Sequence, residues 1–224
     1  NIQYESFINA DDGYYRLNWW NGFPPNYHPE ASIRPSSNKK QNYPRNSLSW
    51  YQCVAFSRWL DDKYRDNNLF DALNLSSEEY QIRLPTEWEW QWMAQNGREK
   101  REYAWGSWAT LPYANTSESH LQQITSVGMY PKAKAECGAL DVNGNLCEWC
   151  LNDYSDMRTI SYNKESLKSS RGGSFTDNYI KAENTYRSNP SNSRFGGSSY
   201  TSFLSNSTME RMGCRIIIGK KSTK

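Results

Sequence analysis

The chain has few of the side chains on which metal catalysis and nucleic-acid binding depend. It contains only 2 histidines and 5 cysteines among 224 residues. Its 26 basic and 24 acidic residues leave a net charge of +2, which gives no electrostatic reason to expect nucleic acid as a partner. No apolar run approaches the ~20 residues that a membrane-spanning helix needs, and no signal peptide is visible. We therefore expect neither a nucleic-acid partner nor a membrane span.

The cysteines do not follow a complete metal-binding pattern. Cys147 and Cys150 form a C-x-x-C pair, which suits either a redox pair or half of a zinc site. Zinc usually takes four cysteine or histidine ligands, and the sequence has neither a second C-x-x-C nor a histidine pair. We expect Cys53, Cys147 and Cys150 to be buried as small apolar residues. The redox compartment and the localisation stay open.

Rings are the abundant apolar residues. Aromatic residues make up 15% of the chain, with 10 tryptophans and 16 tyrosines, whereas all hydrophobic residues together reach 37%. The core must therefore be built largely from rings, which combine a large buried area with a polar handle. This composition is typical of a loop-rich fold with little regular structure.

Local signals predict three helices and a closing strand. Residues 1–10 carry apolar side chains at i, i+3 and i+4. Ser49 is a candidate N-cap for a helix that continues to about residue 62. Thr86 and Glu89 form a capping-box pattern, which predicts a helix that ends at about residue 95. Short strands and long loops should follow, with a final strand over residues 213–218.

A dense run of turn-forming and oxygen-bearing residues occupies positions 138–150. It reads Gly-Ala-Leu-Asp-Val-Asn-Gly-Asn-Leu-Cys-Glu-Trp-Cys. Such a run suits a tight loop whose carbonyl and carboxylate oxygens converge on a hard cation, while the tryptophan anchors the loop in the core. The alternative is that Asp141 and Glu148 only cap loop amides.

This run resembles the G-L-x-D-M-x-G-N-V-W-E-W signature of the formylglycine-generating enzyme (sulfatase-modifying factor) family. Four further stretches match the family in the same order, at residues 49–60, 83–90, 103–116 and 171–216. They include the sequences R-L-P-T-E-W-E-W, Y-A-W-G and R-G-G-S-F. The resemblance implies one domain over residues 1–224, with an α+β C-type-lectin-like fold that is rich in loops and has a few helices and short antiparallel strands.

The resemblance also implies a structural calcium ion in the loop. Carried over from the family, its ligands would be the side chains of Asp141 and Glu148 and the carbonyl oxygens of Gly144 and Leu146. Calcium takes about six to eight oxygen ligands of these kinds.

The family contains copper- and iron-dependent oxidases, and the ligands of both metals are missing from this sequence. Formylglycine-generating enzymes carry a copper-binding cysteine pair soon after G-G-S-[YFW], and the equivalent residues 176–183 contain no cysteine. Copper(I) needs soft thiolate ligands. The ergothioneine-synthesis relatives bind iron through three histidines, whereas this chain has only 2 histidines. We therefore expect no catalytic residues and no copper or iron.

Residues 169–215 are dominated by Tyr, Ser, Gly and Asn, the residue types of antibody paratopes. The same region is the variable region in family members encoded by diversity-generating retroelements, where mutagenesis directed by adenines scatters such residues over a lectin-like face. The alternative is an ordinary polar surface loop. The predicted ligand contacts are Asp177, Asn178, Tyr179, Ile180, Tyr186, Ser188, Asn189, Asn192, Phe195 and Tyr200.

These observations favour a monomeric, non-catalytic module that binds a protein or cell-surface ligand. Two alternatives stay open. One is a metal-dependent oxidase of the formylglycine-generating or ergothioneine-synthesis type, and the other is a sensor domain fused to an effector domain outside this chain. The first residues resemble the middle of the family's V-T-N-x-Q-Y-x-x-F segment, so we expect the family's N-terminal strands before residue 1.

Overall fold

The computed structural model describes residues 1–25, 40–108, 113–163, 166–188 and 210–221. In these ranges short helices and strands are joined by long loops, which confirms the predicted loop-rich α+β class. No helix in the same ranges is long and apolar enough to cross a membrane. The helices are α1 (Ile2–Asn9), α2 (Trp50–Asp66), α3 (Leu69–Ala72), α4 (Glu87–Ala94) and α5 (Tyr179–Ala182), and the strands are β1 (Tyr80–Arg83), β2 (Cys147–Asp153), β3 (Lys168–Arg171), β4 (Met212–Gly213) and β5 (Ile217–Lys220).

The main apolar cluster includes the contact between α1 and α2. Tyr4 and Phe7 of α1 are buried, and the Phe7 ring centroid lies 5.7 Å from that of Phe56 and 5.4 Å from that of Trp59. Ring pairs at such separations contribute about 0.5–1.5 kcal/mol each beyond the area that they bury. The core is therefore built from rings, as the composition predicts, and the helix predicted within residues 1–10 is confirmed.

Both predicted N-caps are confirmed as complete capping boxes. At the start of α2, the Ser49 hydroxyl accepts from the Gln52 amide at 3.2 Å, and the Gln52 side chain accepts from the Ser49 amide at 2.9 Å. At the start of α4, Thr86 and Glu89 exchange the same two bonds at 3.3 and 2.8 Å. Each box satisfies two amides that have no partner inside the helix, which explains why both helices begin where the sequence predicts.

Two predicted boundaries are wrong. α2 continues to Asp66 rather than ending near residue 62, because Arg65 forms an ion pair with Asp61 one turn earlier and extends the helix. The single strand predicted over residues 213–218 is instead two strands, β4 and β5, which belong to different sheets. The residues between β4 and β5 carry the chain from one sheet to the other.

The strand β2 lies at the centre of a three-stranded sheet. It pairs with β3 in antiparallel and with β4 in parallel orientation, and all of its residues are buried. Glu148 in β2 lies between Arg171 of β3 and Gly213 of β4. β1 and β5 form a separate antiparallel pair. One predicted calcium ligand therefore belongs to a strand that is buried along its whole length.

A buried ion-pair network ties α4 to β3 and to the segment after α5. The fully buried Glu87 carboxylate accepts hydrogen bonds from Arg171 at 3.0 Å and from Arg187 at 2.7 Å on each oxygen. Burial alone would raise the pKa of Glu87, but the bonds from Arg187 and the charge of Arg171 outweigh it and hold the pKa below its ordinary value. The two ion pairs of Glu87 therefore hold α4, β3 and the segment after α5 together.

Cys147 and Cys150 lie on opposite sides of β2, because side chains alternate along a strand. Cys147 packs in the cluster around α2, whereas Cys150 packs in a second cluster with Trp90 of α4. Burial raises the pKa of both thiols, which keeps them protonated near neutral pH. All five cysteines are free, and the predicted burial of Cys53, Cys147 and Cys150 is confirmed.

Candidate functional site

Asn143 joins the loop before β2 to its neighbours. Its side-chain oxygen accepts from the Ala104 amide at 3.0 Å, and its side-chain nitrogen donates to the Ala182 carbonyl at 2.6 Å. Gly144, the next residue, has a φ of +83°, and a Cβ there would lie 2.6 Å from the Asn115 carbonyl oxygen. Glycine is therefore required at this position for both its conformation and its size.

Asn145 connects the same loop to two further segments. Its side-chain oxygen accepts from the Thr125 amide at 2.9 Å, and its own amide donates to the Asn115 carbonyl at 2.7 Å. Its carbonyl accepts from the Phe175 amide at 3.1 Å. The sequence patterns did not predict this connecting role. The available signal was the pair of amide side chains on either side of Gly144, within a segment that is buried throughout.

The predicted calcium ligands come together only in part. Asp141, Leu146 and Glu148 line a common cavity of about 150 Å³, together with Arg215. Gly144 is buried in the neighbouring turn. The side-chain oxygen of Asp141 accepts from the Gly128 amide at 2.7 Å.

Arg215 is the partner of Glu148 that sequence reasoning missed. Its Nε and Nη2 atoms donate to the two Glu148 oxygens at 2.9 and 2.6 Å, and Nη2 also donates to the Leu140 carbonyl at 2.8 Å. The Trp90 indole donates to Glu148 at 2.7 Å. The guanidinium thus interacts with a carboxylate and a loop carbonyl, which are the types of oxygen that suit calcium.

Calcium binding at Asp141, Gly144, Leu146 and Glu148 stays a prediction. The donor types fit the ion, but Glu148 would have to exchange part of its contact with Arg215 for it. Among the described residues, no group of three or more histidine, cysteine, aspartate or glutamate side chains is arranged to hold a metal ion.

The predicted ligand face is centred on α5. Asn178 is the N-cap of this helix, and its side chain accepts from the Lys181 amide at 3.3 Å. Tyr179 and Ile180 follow, with 39% and 47% of their surface exposed. The Tyr179 amide donates to the Glu118 carboxylate at 3.2 Å. The backbone of these three predicted contacts is therefore fixed while their side chains face solvent.

Asp177 is a buried neighbour of this face. Its carboxylate accepts from the Ser174 hydroxyl at 2.6 Å and from the Ser174 amide at 3.1 Å, which holds the turn before α5. Lys181 and Arg211 lie 3.4 and 3.7 Å from its other oxygen. The structure thus gives Asp177 a positioning role, and its predicted contact with a ligand stays a prediction.

The remaining predicted contacts lie further along the chain. Tyr186 is half-buried, and Ser188 exchanges two backbone hydrogen bonds with Ser170 of β3, at 2.8 and 3.0 Å. Ser188 therefore borders the central sheet. Four predicted contacts lie outside the described residues, namely Asn189, Asn192, Phe195 and Tyr200.

A group of rings that the sequence patterns did not predict lies beside α5. Trp105 stacks between Tyr103 and Tyr113, with centroid separations of 5.1 and 5.6 Å. Trp108 lies 5.2 Å from both the Tyr103 ring and the Tyr179 ring. Tyr103 is buried, whereas the other rings keep part of their surface exposed. We call these residues, Tyr103, Trp105, Trp108, Tyr113 and Tyr179, the aromatic platform.

Several characterised proteins are similar to this chain in sequence. It is 27% identical over 163 residues to the formylglycine-generating enzyme of Streptomyces coelicolor, which covers 66% of this chain and 43% of the enzyme. It is 26% identical over 169 residues to the hercynine oxygenase of Mycolicibacterium thermoresistibile, covering 66% and 33%. It is 29% identical over 146 residues to the inactive C-alpha-formylglycine-generating enzyme 2 of Bos taurus, covering 59% and 40%. The chain spans less than half the length of each of these relatives.

Solved structures share the fold. Treponema denticola variable protein 1 matches with a TM-score of 0.52 and 20% identity, over 83% of this chain and 75% of that protein. PvdO from Pseudomonas aeruginosa matches with a TM-score of 0.56 and 18% identity, over 82% and 64%. These matches confirm the predicted C-type-lectin-like fold of the formylglycine-generating-enzyme type.

The family relationship is carried by nearly the whole chain. The sulfatase-modifying factor enzyme 1-like domain matches residues 1–218, a range that contains all five of the matching sequence stretches. The chain therefore belongs to the sulfatase-modifying factor enzyme 1-like domain family.

Proposed function

We propose that this domain binds a protein or cell-surface ligand, without catalysis, through α5 and the segment that follows it. The observation that carries the proposal is the exposure of Tyr179 and Ile180 on a helix whose backbone is fixed. Tyrosine provides a large contact area at a low cost in conformational entropy, and neighbouring polar residues such as Asn178 adapt to the partner.

α5 is held in place by three independent hydrogen bonds. The Tyr103 hydroxyl donates to the Tyr179 carbonyl at 3.1 Å, and the Tyr179 amide donates to Glu118 at 3.2 Å. The carbonyl of Ala182 accepts from Asn143 at 2.6 Å. A surface that is fixed before binding loses little further entropy when the ligand arrives, so this rigidity supports a binding role.

The more specific proposal is that the chain is a variable protein of a diversity-generating retroelement. Residues 169–215 have the composition of such a variable region, and α5 lies within that range. A protein with the same fold, from Treponema denticola, is itself named a variable protein, which supports this proposal.

Oxidase activity is the alternative function, because formylglycine-generating enzymes and a hercynine oxygenase are among the relatives. The sequence argues against copper chemistry, since residues 176–183 contain no cysteine thiolate. Incubation of a cysteine-containing sulfatase peptide with the purified chain and copper tests this alternative. Formylglycine in the product would overturn the non-catalytic proposal.

The binding proposal is tested by alanine substitution, after a ligand has been selected from a displayed library of proteins. Tyr179→Ala should weaken binding by on the order of 2 kcal/mol, the scale of an aromatic hot spot. Trp88→Ala is the matched control, because Trp88 is a 59% exposed ring on α4, outside the proposed face. Equal binding by wild type and Tyr179→Ala, with the fold intact, would place the site elsewhere.

We also propose that Asp141, Gly144, Leu146 and Glu148 hold a structural calcium ion. The support is the cavity that Asp141, Leu146 and Glu148 share and the oxygen chemistry of the loop. The ion would add a cross-link between the loop and the central strand, which would stabilise the frame on which α5 is mounted.

A further inference from the structure

The aromatic platform presents ring surface next to α5. Its inner ring, Tyr103, is buried, and the Tyr103 hydroxyl binds the α5 backbone. Trp108 bridges this inner ring to the exposed Tyr179, at 5.2 Å from each. The half-buried Trp105 and Tyr113 continue the ring surface away from α5. The platform is thus a surface of several rings, supported from below by a buried one.

Three carboxylates lie beside this ring surface. Glu102 and Glu118 are exposed and Glu183 is half-buried, and Glu118 accepts from the Tyr179 amide. Glu102 precedes Tyr103 in the chain and Glu183 follows the last residue of α5, so both lie beside the platform. Burial raises the pKa of Tyr103, and the negative charges of the three carboxylates add to that increase.

Two cations close to these carboxylates in the chain, Arg101 and Lys181, are paired with other carboxylates. Arg101 donates to Glu99 at 2.7 Å and to Glu136 at 3.4 Å, and Lys181 lies 3.4 Å from Asp177. Glu102, Glu118 and Glu183 form no ion pair within the part of the chain that the structure describes, so a ligand that carries positive charge complements them.

We propose that the aromatic platform binds a lysine or arginine side chain of the ligand, with the cation against Trp108 and Tyr179 and within reach of the surrounding carboxylates. A cation over the face of a tryptophan or tyrosine is attracted by the ring quadrupole. Arginine also stacks its planar guanidinium on rings. This inference rests on the proposed function, since it names the chemistry of a ligand for the same face.

The test uses the full chain and two synthetic peptides that differ only in charge. One peptide has two arginines separated by serine and glycine, and the other has glutamine in place of each arginine. Binding is followed by tryptophan fluorescence and by calorimetry at low ionic strength. We expect the arginine peptide to bind roughly three- to tenfold more tightly than the glutamine peptide, which is the range of a cation–ring contact.

Two variants separate the ring contribution from the charge contribution. Trp108→Leu removes a ring, and the triple variant Glu102→Gln, Glu118→Gln, Glu183→Gln removes the negative charges but keeps one hydrogen-bonding oxygen in each side chain. Each should weaken the arginine peptide roughly three- to tenfold. Trp88→Leu, which changes an exposed tryptophan on α4, should leave binding unchanged.

Several results would overturn the inference. Equal binding of the two peptides, or unchanged binding by the triple variant, would show that the platform does not recognise a cationic side chain. Unchanged binding by a folded Trp108→Leu protein would show that the rings do not contribute and that charge alone attracts the peptide. Binding of a neutral methyl glycoside, but not of the arginine peptide, would show that the platform is a carbohydrate surface. If neither peptide binds while Tyr179→Ala still weakens the selected ligand, this inference fails and the proposed function stands.

Discussion

Single side chains hold together loops that have little regular structure. Asn143 joins two segments to the loop before β2, and Asn145 joins two others. Glu87 performs the same task with charge, through Arg171 and Arg187. Each of these groups is buried, and a buried polar group that loses its partner costs about 1–3 kcal/mol, or more when it is charged. Loss of any one of these polar partners should therefore destabilise the fold.

Gly144→Ala should destabilise the protein by about 2 kcal/mol or more, because the new Cβ would lie 2.6 Å from the Asn115 carbonyl oxygen. Gly138→Ala is the matched control. Gly138 has a similar φ of +89° but open space around it, so this change should cost only the strain of a positive φ, about 1–2 kcal/mol. Urea unfolding of the two variants measures the difference, and equal losses would contradict the crowding at Gly144.

Glu87→Gln should cost about 3–5 kcal/mol of unfolding free energy at neutral pH, because it leaves Arg171 charged and buried without its partner. Glu136→Gln is the control, since Glu136 has 66% of its side chain exposed and its partner Arg101 keeps a second carboxylate, Glu99, so its loss should cost about 0–1 kcal/mol. Denaturant unfolding at pH 7 distinguishes the two outcomes.

The same network gives the protein a dependence on pH. The pKa of Glu87 is lower in the folded chain than its ordinary value of 4.5, so the unfolded chain binds the proton more readily. The contribution of Glu87 is thus fully present above about pH 4.5 and is lost as the pH falls through the folded-state value. The melting temperature of the wild type should fall below this pH, and the Glu87→Gln variant should show a shallower fall. Parallel profiles would contradict the role of Glu87.

At the scale of elements, the helices with local start signals are the ones that the sequence predicts well. α2 and α4 begin at capping boxes whose partners are three residues apart, so the information lies within one turn. The pairing of Glu148 with Arg215 joins positions 67 residues apart, and no local pattern could reveal it. For the same reason the split between β4 and β5 was missed, since it depends on which sheet each strand joins.

The loop before β2 provides a test of the calcium proposal. Calcium added to metal-stripped protein should raise the melting temperature, because a ligand that binds the native state stabilises it. Asp141→Ala should abolish the shift. Arg215→Gln should be less stable without calcium and should gain more from it, since the Glu148 carboxylate is freed for the ion. The absence of a shift in both the wild type and Arg215→Gln would exclude calcium at this site.

At the scale of the whole molecule, the sequence predicts the fold because its signatures lie along nearly the entire chain. The five matching stretches run from residue 49 to residue 216, within the family domain over residues 1–218. The candidate site was predicted less completely. The composition of residues 169–215 indicates a binding face, but the aromatic platform comes from residues 103–113, and only tertiary structure brings these rings beside Tyr179.

The proposed variable region contains both buried residues that support the fold and exposed residues that are available to a ligand. Arg171, Ser174 and Asp177 are buried and bonded, whereas Asn178, Tyr179 and Ile180 are exposed. A variable binding protein can change the second group freely, because exposed substitutions usually alter stability by less than about 0.5 kcal/mol. Changes in the first group would break buried contacts.

The most direct measurement is deep sequencing of the coding region for residues 169–215 in many cells of a population that carries the gene, together with its template copy. The proposed function predicts substitutions at adenine positions of the template, concentrated at the exposed residues Asn178, Tyr179 and Ile180 and absent from Arg171 and Asp177. A single invariant sequence with no template copy, or substitutions that fall equally on buried and exposed positions, would contradict it.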